Sequence, residues 1–373
     1  MIITRQFKYL IYQGISVLCL YAFSHQLIAE ELTQKYRVRV GITSNINEVQ
    51  PIKWNPGHYV LTPFRMTNKN FQKMLDEIAP VAGIRGIQKR YTWASLEPAK
   101  DQYDFSEIKR DLKILRSLNK RLIVQIQYKS FHKEDNYAPE YLQGEKYSGG
   151  VFKLSKGGHN LVLWNDAVLY RLKKLYIKLG KELDSVGNLE AIVLPETSPG
   201  RKGDMGPGYD EEKYIKNLLE SVIILKKAFP GTVVIQYANY PRRHLGQMTT
   251  VFVANGIGLG GPDTFPSADA YFLHHGVYPY YSHLTGVIPL AIAVQSDNYT
   301  SRKPHGLLDT TPVGEIYVFA RDELRVNYLF WFWRKYPIDY FSRVLKMMAE
   351  PDFPSDKSGG LRSECPTMLG YCQ

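Results

Sequence analysis

Ile192, Val193 and Leu194 form an apolar run, and Glu196 follows one residue after Pro195, ahead of the Gly- and Pro-rich segment TSPGRKGDMGPGYD. A short apolar run bounded by turn residues reads as a buried strand, so its end delivers a carboxylate out of an apolar core. Such a group must be paired, hydrated in a cleft or protonated. With a raised pKa it can protonate a leaving oxygen, and a second carboxylate opposite it can act as base or nucleophile. Asp263, at the end of GIGLGGPD, and Asp297, at the end of PLAIAVQSD, are equal candidates for that partner. Turn chemistry also favours Asp at loop entries, and a buried ion pair with Arg90 or Arg201 is the plain alternative for Glu196. Glu315 falls in the first turn of an expected helix, where the macrodipole accounts for it. Glu97 and Asp104 read as loop-shaping residues.

Amides supply a second kind of chemistry. Gln125, Gln127, Gln236, Asn239 and Gln295 lie in or just beyond three otherwise apolar strands, where they can recognise hydroxyl groups or satisfy one another. Gln127, Asn239 and Gln295 are taken as ligand contacts, together with Trp93, Trp331 and Trp333. Trp54 and Trp164 are further ring candidates, though large rings also fill cores. His58, His274 and His275 could donate to hydroxyls, and lone histidines are more often structural. No Cys/His spacing resembles a zinc site, and no metal or organic cofactor is implied.

These side chains need a scaffold. Strand-like segments recur at 57–64, 83–93, 121–131, 189–196, 232–240, 256–261, 289–297 and 325–333. Helix-period stripes fall between them. Phe71, Leu75 and Ile78 make one; Ile108, Leu112, Leu115 and Leu118 make another behind a Ser106 cap. Leu172, Leu175, Leu179 and Leu183 follow, then Leu218, Val222 and Leu225. Thr311 and Pro312 read as an N-cap and first-turn proline before Ile316 and Phe319, and Phe341, Val344, Leu345 and Met348 suggest a final helix. The alternation predicts parallel strands with helical crossovers, either closed as a (β/α)8 barrel of the α/β class or open and doubly wound. GIGLGGPD lies late in the chain and has no helix start behind it, which disfavours a nucleotide-binding open sheet. Helix-to-strand connections are short (SLNK, SVGN, FPG), whereas strand-to-helix connections are long. Long connections on the carboxyl side of the strands favour the barrel and put a site there, with Glu196 on that face.

The segment RGIQKRYTWASLEPAKDQYDFSEIKRDL (85–112) resembles the second-strand region of barrel glycosidases, with Trp, then Glu-Pro, a short turn, and Tyr-Asp-Phe opening a helix. RLIVQIQY and IVLPETS follow in the expected order, and the resemblance to the clan of cellulases, xylanases and β-galactosidases covers residues 55–340. It implies glycoside hydrolysis by two carboxylates, with the acid/base Glu at the end of the fourth strand, matching Glu196. The clan's nucleophile Glu ends the seventh strand, where this chain has Gln295. A ring ending the eighth strand stacks on the sugar, a place open to Trp331 or Trp333. The clan also has Asn before its acid/base Glu, where this chain has Pro195. The resulting expectation is a glycoside hydrolase-like protein acting on a poly- or oligosaccharide. The alternatives are a carbohydrate-binding barrel that has lost its nucleophile, and a lyase or hydrolase of an acidic glycan.

Composition bounds the partners. The chain has 373 residues with 47 Lys and Arg against 36 Asp and Glu, a net charge of +11. The cations are spread along amphipathic stretches such as EIKRDLKILRSLNKR rather than gathered with aromatics, so nucleic acid is not expected. Arg5 and Lys8, the apolar run 9–23 and Ala29 read as a secretory signal over 1–29. An extension at 30–56, the barrel at 57–350 and a tail at 351–373 complete the expected layout. Export to the periplasm or outside follows, with membrane contact only through an uncleaved signal anchor. Cys365 and Cys372, close together in the tail, suit a disulfide in such a compartment.

Overall fold

A computed structural model describes residues 51–373 except 131, 156, 202, 207, 267–275, 303–307 and 311–312. The eight apolar runs become strands β1 (Gly57–Leu61), β2 (Ile84–Thr92), β3 (Arg121–Gln127), β4 (Leu189–Leu194), β5 (Val233–Tyr237), β6 (Gly258–Gly261), β7 (Leu290–Val294) and β8 (Tyr328–Phe332). Each pairs in parallel with its neighbours in sequence, and β8 pairs with β1 to close the barrel. β1, β4, β5, β6 and β7 are buried along their whole length. That double burial explains why they read as continuous apolar runs rather than alternating ones.

Strand alternation sorts the side chains into two apolar layers. Tyr59, Leu61, Ile123, Val193, Ile235, Ala293, Tyr328 and Phe330 pack together inside the barrel. Val60, Ile87, Val124, Ile192, Val234, Ile292, Leu329 and Trp331 face the surrounding helices. Gly258 and Gly260 of β6 belong to the interior packing: a Cβ at Gly260 would run into the Tyr237 ring and Ile235. They make room for large neighbours and do not form a nucleotide-binding turn.

The helices follow the predicted stripes. They are α1 (Asn68–Ile78), α2 (Ser106–Ser117), α3 (Asp166–Leu183), α4 (Glu211–Ala228), α5 (Leu245–Asn255), α6 (Tyr278–Leu284), α7 (Val313–Val318) and α8 (Tyr340–Met348). Asn165 and Asp210 cap α3 and α4 with side-chain oxygens, the usual use of a short polar residue at a helix start. Ser106 is not a cap. It is the first residue of α2, and Asp104 Oδ1 accepts its backbone N–H at 2.9 Å. Thr311 and Pro312 lie outside the described residues, ahead of Val313.

The amino end of the barrel is sealed by both ends of the described chain. Ile52 pairs with Cys372, Trp54 N donates to Gln373 O at 2.9 Å, and Ile52 and Leu369 join the interior apolar layer. A Cys365–Cys372 disulfide closes the tail into this cap. Just above it, Glu190 is fully buried and accepts from Arg121 Nε at 2.6 Å, Tyr328 OH at 2.8 Å and Asn55 N at 2.6 Å. The long connections lie at the opposite end. One carries a hairpin of Val151–Lys153 with His159–Leu161, and another carries Thr300–Arg302 paired with Leu308–Thr310. Among the described residues no helix is long and apolar enough to cross a membrane. Residues 1–29, where the signal is expected, lie outside the description.

Candidate active site

The carboxyl ends of the strands surround a cleft of about 660 Å³. Glu196 enters it from the end of β4 on a segment fixed at several points. Gln236 Nε2 donates to Pro195 O at 2.6 Å, Thr197 N to Tyr237 O at 3.0 Å, Thr197 Oγ1 to Tyr240 O at 2.6 Å, and Tyr214 OH to Thr197 O at 2.9 Å. The carboxylate keeps 18% of its surface exposed and takes Lys129 Nζ on Oε1 at 2.9 Å. Lys129, only 2% exposed, also donates to Ser198 O at 2.7 Å. Asn239 Nδ2 donates to the other oxygen, Oε2. The amide's orientation is set by its own Oδ1, which accepts from Ser198 N at 3.1 Å and Tyr240 N at 2.8 Å. Both oxygens of Glu196 thus face donors. The sequence reading offered Arg90 or Arg201 as the cation beside Glu196; that place belongs to Lys129.

Asp263 lies two residues past β6 and lines the same cleft. Its carboxyl is pushed up to about 7, chiefly because burial disfavours its charged form; the negative charges of Asp297 and Glu196 add to the effect. Asn298 Nδ2 opposes the shift with a hydrogen bond to Oδ1 at 3.2 Å. Asp297 lines the cleft from an exposed position on its rim. A carboxyl near half-protonation at neutral pH, with a second carboxylate close enough to affect its charge, meets the requirement for dividing acid and base duties.

A polar floor lies between the walls. Arg90, on β2, donates from Nε to Gln125 Oε1 at 3.2 Å and from Nη2 to Gln295 Oε1 at 3.4 Å. Gln88 Nε2 donates to Gln125 Oε1 at 2.9 Å and to Tyr237 OH at 3.0 Å. Burial lowers Arg90 from its ordinary value and raises Tyr237. Gln127 lines the cleft, donates to Lys129 O, and leaves its Oε1 without a protein partner. Gln125, Gln127 and Gln295 therefore meet where the sequence placed them, and Asn239 reaches the site through Glu196.

The tryptophans do not. Trp93 is fully buried in a one-turn helix, Trp93–Leu96, with Nε1 on Glu97 Oε2 at 2.9 Å. Trp331 is fully buried on the outward face of β8, donating to His58 Nδ1 at 3.0 Å. Trp333 is nearly buried against Glu77, with an indole hydrogen bond of 2.8 Å. Trp54 and Trp164 are also away from the cleft, in contact with Tyr328 and with Phe152 and Tyr209. His58 is a core residue bonded to Gly359 O at 3.1 Å, while His274 and His275 lie outside the described residues. The rings at the cleft are Phe332, Phe64, Tyr137 and Tyr237, with Phe64 and Tyr137 centroids 4.7 Å apart. Strand parity explains the exchange: in YLFWF, Phe330 and Phe332 share the inward face and Trp331 the outward one. The same parity could have found Lys129, which continues the inward series Gln125 and Gln127. Phe64 and Asn298 carried no comparable signal.

Among the described residues there is no cluster of His, Cys, Asp and Glu arranged to hold a metal ion. No family model matches the sequence, and no curated protein matches it. Solved structures do match in shape. The catalytic domain of β-amylase from Paenibacillus polymyxa is 12% identical with a TM-score of 0.53, the match covering 86% of this chain and 98% of that one. Endo-glycoceramidase II from Rhodococcus sp. is 11% identical with a TM-score of 0.51, covering 78% and 77%. A β-galactosidase from the psychrophilic Marinomonas ef1 is 9% identical with a TM-score of 0.51, covering 76% and 55%. At these identities the likeness concerns the fold, which is a (β/α)8 barrel of the kind found in glycoside hydrolases.

Proposed function

We propose that this chain is an exported carbohydrate-active barrel that cleaves or processes a poly- or oligosaccharide by carboxylate acid/base chemistry. The observation that carries the reading is the pairing of Asp263, pushed up to about 7, with Glu196 in one cleft at the carboxyl end of the barrel. Asp263 is the general acid: it gives its proton to the glycosidic oxygen as the bond to the anomeric carbon breaks. Glu196, with Lys129 and Asn239 donating to its oxygens, works as the carboxylate, either taking a proton from the attacking water or attacking the sugar itself. These roles reverse the order suggested by the clan resemblance, which makes the carboxylate at the end of the fourth strand the acid. The amides of Gln127 and Gln295 and the ring of Phe332 suit sugar hydroxyls and faces. Glycosidase neighbours of the same fold agree with this chemistry.

Reducing-end release from a panel of oligosaccharides tests the proposal. Glu196→Gln and Asp263→Asn should each lower turnover by about 10²–10⁴-fold, the usual contribution of a positioned acid or base. A second reading, a barrel that binds glycans without cleaving them, is favoured by the amide Gln295 at the end of β7. Under it no wild-type turnover appears, and Glu196→Gln leaves affinity nearly unchanged. Export rests on the leader-like residues 1–29 and on the Cys365–Cys372 bridge, a bond typical of oxidising compartments. Fractionation of cells expressing the full chain, with recovery in the cytosol as the contrary result, tests it.

A further inference from the structure

The cleft adjoins a second cavity of about 270 Å³, and Arg90 and Phe64 line both. The smaller cavity is also walled by Arg65, Lys89 and Arg110. These cations are neutralised within the protein: Arg65 by Asp135, Lys89 by Glu107 and Asp111, and Arg110 by the same two carboxylates. In the main cleft Lys129 has Glu196. Among the described residues, Arg90 is the lysine or arginine of the two cavities that lacks a carboxylate partner. Its hydrogen bonds go to the neutral amides of Gln125 and Gln295, the second a long 3.4 Å. Tyr237 and Tyr137, the other polar groups close enough to bear on its charge, are held in the neutral form by burial.

A guanidinium withdrawn from water is unfavourable unless an anion compensates it. Arg90 is half-buried without one. Its Nη1 makes no hydrogen bond among the described residues, and its planar fork suits two-point contact with a carboxylate. The proteinaceous route to neutrality at this place, a carboxylate ending β7, is closed by Gln295. A bound anion would supply the missing charge. We propose that the cleft takes a uronate-containing glycan and that Arg90 is the specificity-determining residue that reads the sugar carboxylate. This rests on the reading of the cleft as a glycan site and narrows its substrate class. Asp263, near half-protonation at neutral pH, adds less repulsion toward an anionic sugar than an ordinary carboxylate would. The small cavity beside Arg90 gives the next sugar unit room.

Calorimetric titration of the full chain carrying Glu196→Gln, which slows turnover, tests the proposal. The probes are oligogalacturonate, oligoglucuronate and alginate oligomers, each compared with its carboxyl-reduced neutral twin. In at least one pair the uronate binds tenfold or more tighter than its twin. Adding Arg90→Gln brings that ratio to about one, and Arg90→Lys keeps part of the preference. Neutral twins that bind as tightly as the uronates overturn this inference and leave the glycan reading standing. So does a ratio that survives Arg90→Gln in a variant with wild-type melting, or a sulfated carboxyl-free oligosaccharide that outbinds every uronate. No binding by either member of any pair overturns both.

Discussion

Replacing Asp263 by Asn isolates the free energy stored in one half-buried carboxyl. Asn keeps an acceptor oxygen for Asn298 and removes the ionisable proton. The Asp263 carboxyl moves from its ordinary 3.8 to about 7 in the folded protein, so between those pH values the folded state binds a proton that the unfolded chain has released. Stability contributed by this group therefore falls as pH rises from about 4 and levels off above about 7. At about 1.36 kcal/mol per pH unit the gap amounts to about 4 kcal/mol, trimmed to about 2–4 kcal/mol because the group keeps some contact with cleft water. Urea unfolding of wild type and Asp263→Asn across pH 4 to 8.5 provides the assay, since other titrating groups largely cancel in the difference. The two proteins should match within about 0.5 kcal/mol near pH 4, and the variant should become more stable as pH rises, reaching its full advantage near pH 8. A difference that is flat with pH, or a variant that is less stable at pH 8 by as much as it was expected to gain, would refute the burial-driven shift.

Lys129→Met leaves Glu196 with one donor instead of two, and kcat/KM should fall by about 10²-fold with a smaller change in KM. Trp331→Phe removes the hydrogen bond to His58 from the packed outer layer, so it should lower stability by about 2–3 kcal/mol with glycan affinity unchanged. Phe332→Ala should do the reverse, weakening glycan binding about tenfold with a smaller loss of stability; titration and thermal melting separate the two effects. Cys365→Ser together with Cys372→Ser opens a loop of short sequence separation, 7, so unfolding free energy should drop by about 2–3 kcal/mol, measured by denaturant titration.

The barrel was legible because its strands are buried on both faces and its helices on one. Runs such as AIVL and the leucine stripe of α3 record those environments directly, and the unequal connections marked the end holding the cleft. Glu196 was legible because a carboxylate directly after an apolar strand is costly without a reason. Ring placement was not legible. In YLFWFW every residue is apolar, so composition cannot tell which parity faces inward, and a shift of one residue exchanges Trp331 for Phe332. Trp93 was misplaced because β2 runs straight into a single helical turn that folds the ring into the core. The partner of Glu196 depended on spatial neighbours: parity puts Lys129 on the inward face after Gln125 and Gln127, but it is 67 residues from Glu196 in sequence and only the closed barrel brings the two together. Likewise, Asp263 and Asp297 look alike as loop-entry aspartates. Burial separates them, and burial is a property of the closed barrel rather than of either segment.

The central claim is that Asp263 donates the proton to the departing oxygen. It is tested most directly by comparing leaving groups in Asp263→Asn. With a natural glycoside, whose leaving oxygen needs a proton, kcat/KM should fall by about 10²–10⁴-fold; with a 2,4-dinitrophenyl glycoside of the same sugar, whose leaving group departs unprotonated, it should change by less than about tenfold. Equal losses on the two substrates, or no loss on either, would contradict the assignment.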